Sequence, residues 1–202
     1  PEKTPSIIST SSLIPASIEK SIAVTTDRPY AVFLTLSSEG LQPITQNTVK
    51  NIVIKEEGLT TNNERVLTAI SLTRFFALSK MPPSGILTRS LDNPYMIGFI
   101  GTSGTPVPFL ILKTSEYETS VIGMLEWERD IPKFFDTVFG TSMELSTKNL
   151  KFKDVVLSGH DSRVLETNTE IGVTYAFVNP TTIIITTNKN SLKELFNAIQ
   201  EN

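Results

Sequence analysis

The chain contains no cysteine, one histidine and one tryptophan in 202 residues. Without a thiol there is no disulfide framework, no thiolate zinc site and no cysteine nucleophile. No apolar run approaches the roughly 18 to 20 residues needed to span a bilayer. Nor is there an excess of positive charge. The formal net charge is −3, which lacks the basic field of a nucleic-acid binder and gives no electrostatic reason to dock on an anionic membrane. What remains is a chain that is 39% hydrophobic and 19% charged, a composition that folds and buries a sizeable core.

One phrase recurs four times: an apolar strand, a Ser, Thr, Asp or Asn stop, then a helix start. It reads Ile22 to Asp27, Val66 to Ser71, Phe109 to Ser115 and Ile183 to Asn188. The stops are N-cap residue types, whose side-chain oxygen accepts from the free N–H groups of a first helical turn. Asp27 is expected to cap a helix carrying Pro29 in its first turn, and Ser71 to cap one whose Leu72, Phe75 and Phe76 form a buried stripe. Ser115 with Glu118 and Ser191 with Glu194 have the spacing of capping boxes. Gly140 suits the stop of a helix that begins after Asp130.

The segment 101–106, with two glycines and a proline, reads as a hairpin loop between strands 95–100 and 107–112. Short strands at 152–157 and 163–165 flank a turn over 158–161, and Val173 to Thr187 forms a hairpin over Asn179 and Pro180. Hairpins inside the repeated units mean antiparallel pairing, so the expected class is α+β, with antiparallel sheets and helices on one face. The expected organisation is a Pro/Ser/Thr-rich tether over residues 1–18 and two similar α+β halves, 19–92 and 93–202. One continuous domain over 19–202 is the alternative.

Candidate chemistry is sparse. His160 lies beside Ser158, Asp161 and Arg163, but a hydrolytic triad needs groups converging from separate loops. The structural reading is a turn made by Gly159 and Asp161 with His160 exposed on it. Glu126 and Asp130 stand four apart, so both carboxylates can share one side of a helix; the competing reading is a solvated face, with Arg129 damping repulsion. Trp127 is either core or a partner-binding anchor. No catalytic set, cofactor site or metal site emerges. The candidate interaction surface is Glu126, Trp127, Glu128, Asp130, His160 and Asp161.

An ordered series of phrases carries a resemblance. It runs through Arg89-Ser90-Leu91, Tyr95-Met96-Ile97-Gly98, Pro108 to Thr114 and Gly123 to Glu128. Phe152 to Val156, Asp161 to Leu165 and Ile184 to Asn188 complete it. From about Ser12 onward the chain resembles uncharacterised membrane-anchored hypothetical proteins of the ultrasmall candidate-phyla bacteria. In those, a transmembrane helix and a Pro/Ser-rich tether precede an extracytoplasmic domain. The resemblance implies location and no activity. With the opening on Pro1 and the Ser/Thr/Pro-rich start, it sets the expectation of an extracytoplasmic, non-enzymatic domain whose anchor lies outside this chain. A protein or envelope component would be its partner. A hydrolase acting on cell-wall or glycan material and a pilus or secretion-platform component are the alternatives.

Overall fold

Alternating side chains along the two most apolar strands point to two different cores. In the computed structural model, which describes residues 12–25, 27–59, 62, 64–143, 151–166 and 172–200, Leu110, Leu112, Ile183 and Ile185 enter one core, while Phe109, Ile111 and Ile184 enter another. Strand neighbours project to opposite faces, so these strands form the middle of a sheet covered on both sides.

Among the described residues nine strands make that sheet: β1 (Ile18–Ala23), β2 (Val49–Leu59), β3 (Arg65–Ala69), β4 (Leu91–Ile100), β5 (Val107–Thr114), β6 (Phe152–Leu157), β7 (His160–Leu165), β8 (Val173–Asn179) and β9 (Thr182–Thr186). Their order is β1-β2-β4-β5-β9-β8-β7-β6. Every pairing is antiparallel except β1 with β2. β3 extends the edge of β2 beyond β4: Lys55 pairs with Ala23 on one side and Ala69 on the other, whereas residues 49–52 pair with β4.

The helices are α1 (Val32–Gly40), α2 (Leu72–Ser79), α3 (Gly85–Ser90), α4 (Tyr117–Trp127), α5 (Ile131–Phe139) and α6 (Lys189–Gln200). Side chains of α1 to α5 build the larger core on one face. On the opposite face Leu192, Leu195 and Phe196 of α6 pack over Phe109, Ile111 and Ile184, joined by Ile14, which is fully buried. The fold is thus mixed α+β on a mostly antiparallel sheet, with α6 added on the second face. Of the segment read as a tether, residues 1–11 lie outside the described residues. Residues 12–17 lie against the sheet: the Ser17 N–H donates to the Val49 carbonyl at 3.1 Å, and β1 follows at once.

The division read near residues 91–94 falls inside β4, which pairs with β2 on one side and β5 on the other, so one sheet runs through both halves. Asp92-Asn93-Pro94 looks like a break because Pro94 lacks an N–H. The strand absorbs it with a register shift between Leu91 and Tyr95, and Asn93 Oδ1 accepts the Leu72 N–H at 3.1 Å at the start of α2.

Capping follows the expected residue in some places and departs in others. Ser71 accepts from Arg74 N–H and Ser84 from Leu87 N–H, and Gly140 ends α5 in the left-handed region at φ 66°. Asp27 does not cap. The chain enters α1 through a 3₁₀ turn, Pro29–Ala31, with Pro29 in its first turn and no side-chain cap bond. Neither capping box forms. Helix α4 begins after Glu116, and the Thr114 hydroxyl takes the Glu116 N–H while bonding Ser90 and Ser120 in a buried hydroxyl cluster. At α6 the cap is Asn188, whose Oδ1 accepts from Ser191 N–H at 2.7 Å. Asp130 stands in the cap position of α5 without a cap bond.

Lys50 is a buried cation, 6% exposed, on the face of β2 that meets α1. Its Nζ reaches Glu39 Oε2 at 2.5 Å. The hydrogen bond from Lys50, helped by its charge and that of Lys20, holds the Glu39 carboxyl below its usual range against the opposing effect of burial. A depressed folded-state pKa contributes stability above the unfolded value of 4.5, and this is lost as pH falls through the lower folded value. Urea unfolding is expected to show lower stability near pH 3 than near pH 7, with a smaller difference in Glu39→Gln. An unchanged pH difference in that variant would refute the assignment.

Candidate functional site

Helix α4 carries Tyr117, Val121 and Leu125 at i, i+4 and i+8, one side of the helix. That side overlooks β6, β7 and β8 and forms the wall of a groove of about 780 Å³. The floor is set by strand register. Asp154 of β6 pairs with Arg163 of β7, and Arg163 with Tyr175 of β8, so three polar side chains stand in a row on one face. Phe177 extends the row and meets Tyr117 edge to face at 5.0 Å.

Glu128, one residue past α4, closes on this row. Arg163 donates through Nε and one terminal nitrogen to the two Glu128 oxygens at 2.7 and 3.0 Å, a bidentate fork. Its other terminal nitrogen donates to Asp154 Oδ1 at 2.8 Å, and the Tyr175 hydroxyl donates to Glu128 Oε1 at 2.8 Å. The hydrogen bond to Glu128 raises the Arg163 pKa, so the guanidinium is permanently charged. Burial, reinforced by the Glu128 carboxylate, raises that of the Tyr175 phenol and keeps it protonated as a donor. The network joins the end of α4 to three strands. Its donors and acceptors are spent on one another, which suits rigidity better than proton transfer.

The six residues of the expected surface do not converge. Glu128, His160 and Asp161 lie at or beside the groove. Trp127 is 1% exposed and sits in the core against Phe76 and Phe134. Its Nε1 has no hydrogen-bond partner among the described residues. Glu126 is exposed about 100° around α4 from Leu125, and among the described residues the Asp130 carboxylate pairs only with exposed Arg129, at 3.3 Å. The carboxylates of Glu126 and Asp130 therefore share no site, because α4 ends between them.

His160 is not on the turn. Ser158 and Gly159, at φ 50° and 81°, make the whole connection, and His160 opens β7 opposite Leu157. Two consecutive left-handed residues give the tight hairpin that matches strand twist. His160 is half-buried, its ring tilted against that of Phe196 of α6 at 4.5 Å, while Asp161, its neighbour in the strand, points to the other face. Ser158, His160 and Asp161 thus diverge. Among the described residues there is no cluster of three or more His, Asp or Glu arranged to hold a metal ion.

Sequence reasoning missed Arg163, Tyr175, Val156 and Leu125 as members of one surface. The signal for Arg163 was present: it shares its face of a period-2 strand with Leu165, which enters the core, so its charge needs a partner there. Fold and site together describe an α+β domain with an open groove held by an internal ionic lock and without a catalytic constellation among the described residues. Comparison with protein-family models, with curated proteins and with solved structures finds no match.

Proposed function

We propose that this chain is a protein-interaction domain of an extracytoplasmic, membrane-anchored protein, and that the groove between α4 and β6 to β8 is its docking surface. The observation that carries this reading is exposed apolar area around a rigid floor. Val156 is 67% exposed, Leu125 48% and Tyr117 46%, all on the groove's lining. Contiguous exposed side chains of this size mark interaction sites on soluble domains. Strand β6 also ends the sheet, paired only with β7 among the described strands. The Ser/Thr/Pro-rich start, the absence of cysteine and the resemblance from Ser12 onward support the extracytoplasmic setting. The anchor in this reading lies outside the chain.

The test is a photo-crosslinking amino acid placed at Val156 in the full-length protein in its own cells, with Glu194 on α6 as the control position. The expected result is one discrete cross-linked protein at position 156 and none at 194, with the protein in the membrane fraction and open to protease added outside. The same cross-link pattern from both positions, or recovery of the protein in the cytosolic fraction, overturns the proposal.

A further inference from the structure

Among the described residues the helix layer stops short of the sheet edge. Helices α1 to α5 fill their face from β1 across to β8, with Tyr117 of α4 already over Phe177. Beyond α4, among the described residues, no helix covers the outer parts of β6 and β7: Asp154 and Val156 are exposed on β6, and Asp161 on β7. Two strands about 4.8 Å apart present a floor about 10 Å wide, the diameter of one α-helix. The uncovered stretch pairs Asp154 to Leu157 with His160 to Arg163. At about 3.3 Å per residue it is roughly 13 Å long, or about nine residues of helix. Val121 and Leu125 form a wall along one side, where a second helix would lie 8–10 Å from the α4 axis.

Charge selects the occupant further. Among the described residues, Asp154, Asp161 and Glu128 face Arg163 alone, three carboxylates to one guanidinium, and exposed Glu118 adds a fourth carboxylate on α4. Lys153, the nearest cation in β6, pairs with Glu166 and projects from the other side of the strand. Because Arg163 is already forked onto Glu128, the unspent charge of the floor is negative.

We infer that the groove takes a short amphipathic helix of a partner protein, two to three turns long. Its apolar stripe would lie on Val156, Leu125 and Tyr117, and lysine or arginine on its margin would face Asp154 and Asp161. This rests on the docking reading above and names the partner's chemistry. It is a helix-in-groove mode, with anchors at helical spacing, and not strand addition to β6. The Glu128–Arg163 fork holds the floor before the partner arrives, so little ordering accompanies binding.

The test titrates the isotope-labelled 202-residue chain with three 14-residue peptides followed by amide chemical shifts. One is an amphipathic Leu/Ala/Lys helix, the second replaces Lys with Glu, and the third is the Lys peptide with two central prolines. The Lys helix is expected to shift Leu125, Val156 and Asp161 and to bind at least tenfold more tightly than either of the others. Val156→Glu and Leu125→Glu each weaken it tenfold or more, and Asp161→Asn narrows the Lys-over-Glu preference at least threefold. Equal binding of the Glu peptide, equal binding of the proline peptide, or shifts of the same residues with chain concentration alone overturns the inference. Those outcomes point respectively to an unselective groove, an extended ligand and a second copy of this chain. Each leaves the groove a docking surface. A groove silent to all three peptides removes the helical partner, and the docking reading then stands or falls on the cross-link at Val156.

Discussion

Replacing Gly98 with alanine is expected to destabilise the fold by about 3 kcal/mol, the upper part of the usual overpacking range. A β-carbon at this position would stand 2.0 Å from the Lys50 carbonyl oxygen and 3.0 Å from the Phe109 ring. The first contact is with backbone, which no rotamer change relieves, so β2 and β4 must part. That pairing joins β1, β2 and β3 to the rest of the sheet. At 2–4 °C per kcal/mol for a chain of this size, the melting temperature falls by roughly 6–12 °C. Gly58→Ala is the control: it lies in β2 with nothing within 4 Å of its built β-carbon, and the change is expected to stay within about 0.5 kcal/mol. Equal melting temperatures for the two variants would show that the β2–β4 approach is looser than these distances require.

The second large effect is in the aromatic core. Phe134 is fully buried and meets Trp127 at 5.2 Å, Phe76 at 5.7 Å, and Phe75 and Phe135 at 6.0 Å. Phe134→Ala removes four ring contacts and leaves a cavity between α2, α4 and α5, at an expected cost of about 3–5 kcal/mol. The rings around it are already interlocked with Phe33 and Tyr95 through Phe75, so the site has little freedom to collapse. Trp127 is the only tryptophan, and its emission reports the cavity directly. The expected result is a lower urea midpoint together with a red shift in the native-state spectrum, both largely recovered in Phe134→Leu. A midpoint within about 1 kcal/mol of the parent would mean that the cluster repacks and that Phe134 does not organise it.

Much of the fold is legible in local chemistry. Leu72, Phe75 and Phe76 at helical spacing behind Ser71 give α2, and all three are buried where that spacing puts them. Gly140, with no Cβ, marks the end of α5. The apolar run 183–185 reads as an interior strand because its residues are hydrophobic on both faces, and it is interior, with Ile183 and Ile185 in one core and Ile184 in the other. Local chemistry misled where a distant group competed for the same atom. Ser115 and Glu118 have capping-box spacing, yet the Ser90 carbonyl, brought in from across the fold, accepts the Ser115 N–H at 3.3 Å that Glu118 would have taken. Asp92-Asn93-Pro94 reads as a boundary, yet pairing with β5 carries the strand through it.

The surface was less legible than the fold. Glu126 to Asp130 are contiguous in sequence, and contiguity suggested one patch. A helix turns about 100° per residue, so Trp127 enters the core, Glu126 faces solvent away from Leu125, and Glu128 reaches the strands. His160 and Asp161 separate for the analogous reason in a strand, where neighbours face opposite sides.

By itself the sequence determined the class of fold, the order of most strands and helices, and the absence of thiol chemistry, because these depend on residue type and on spacing within a few positions. Only the tertiary structure decided that one sheet spans the chain, that α6 lies on its second face, and that Arg163 meets Glu128. Glu128 and Arg163 stand 35 positions apart, and their meeting depends on strand register and on where α4 ends. Those are set by the sum of many long-range contacts and by no single local pattern.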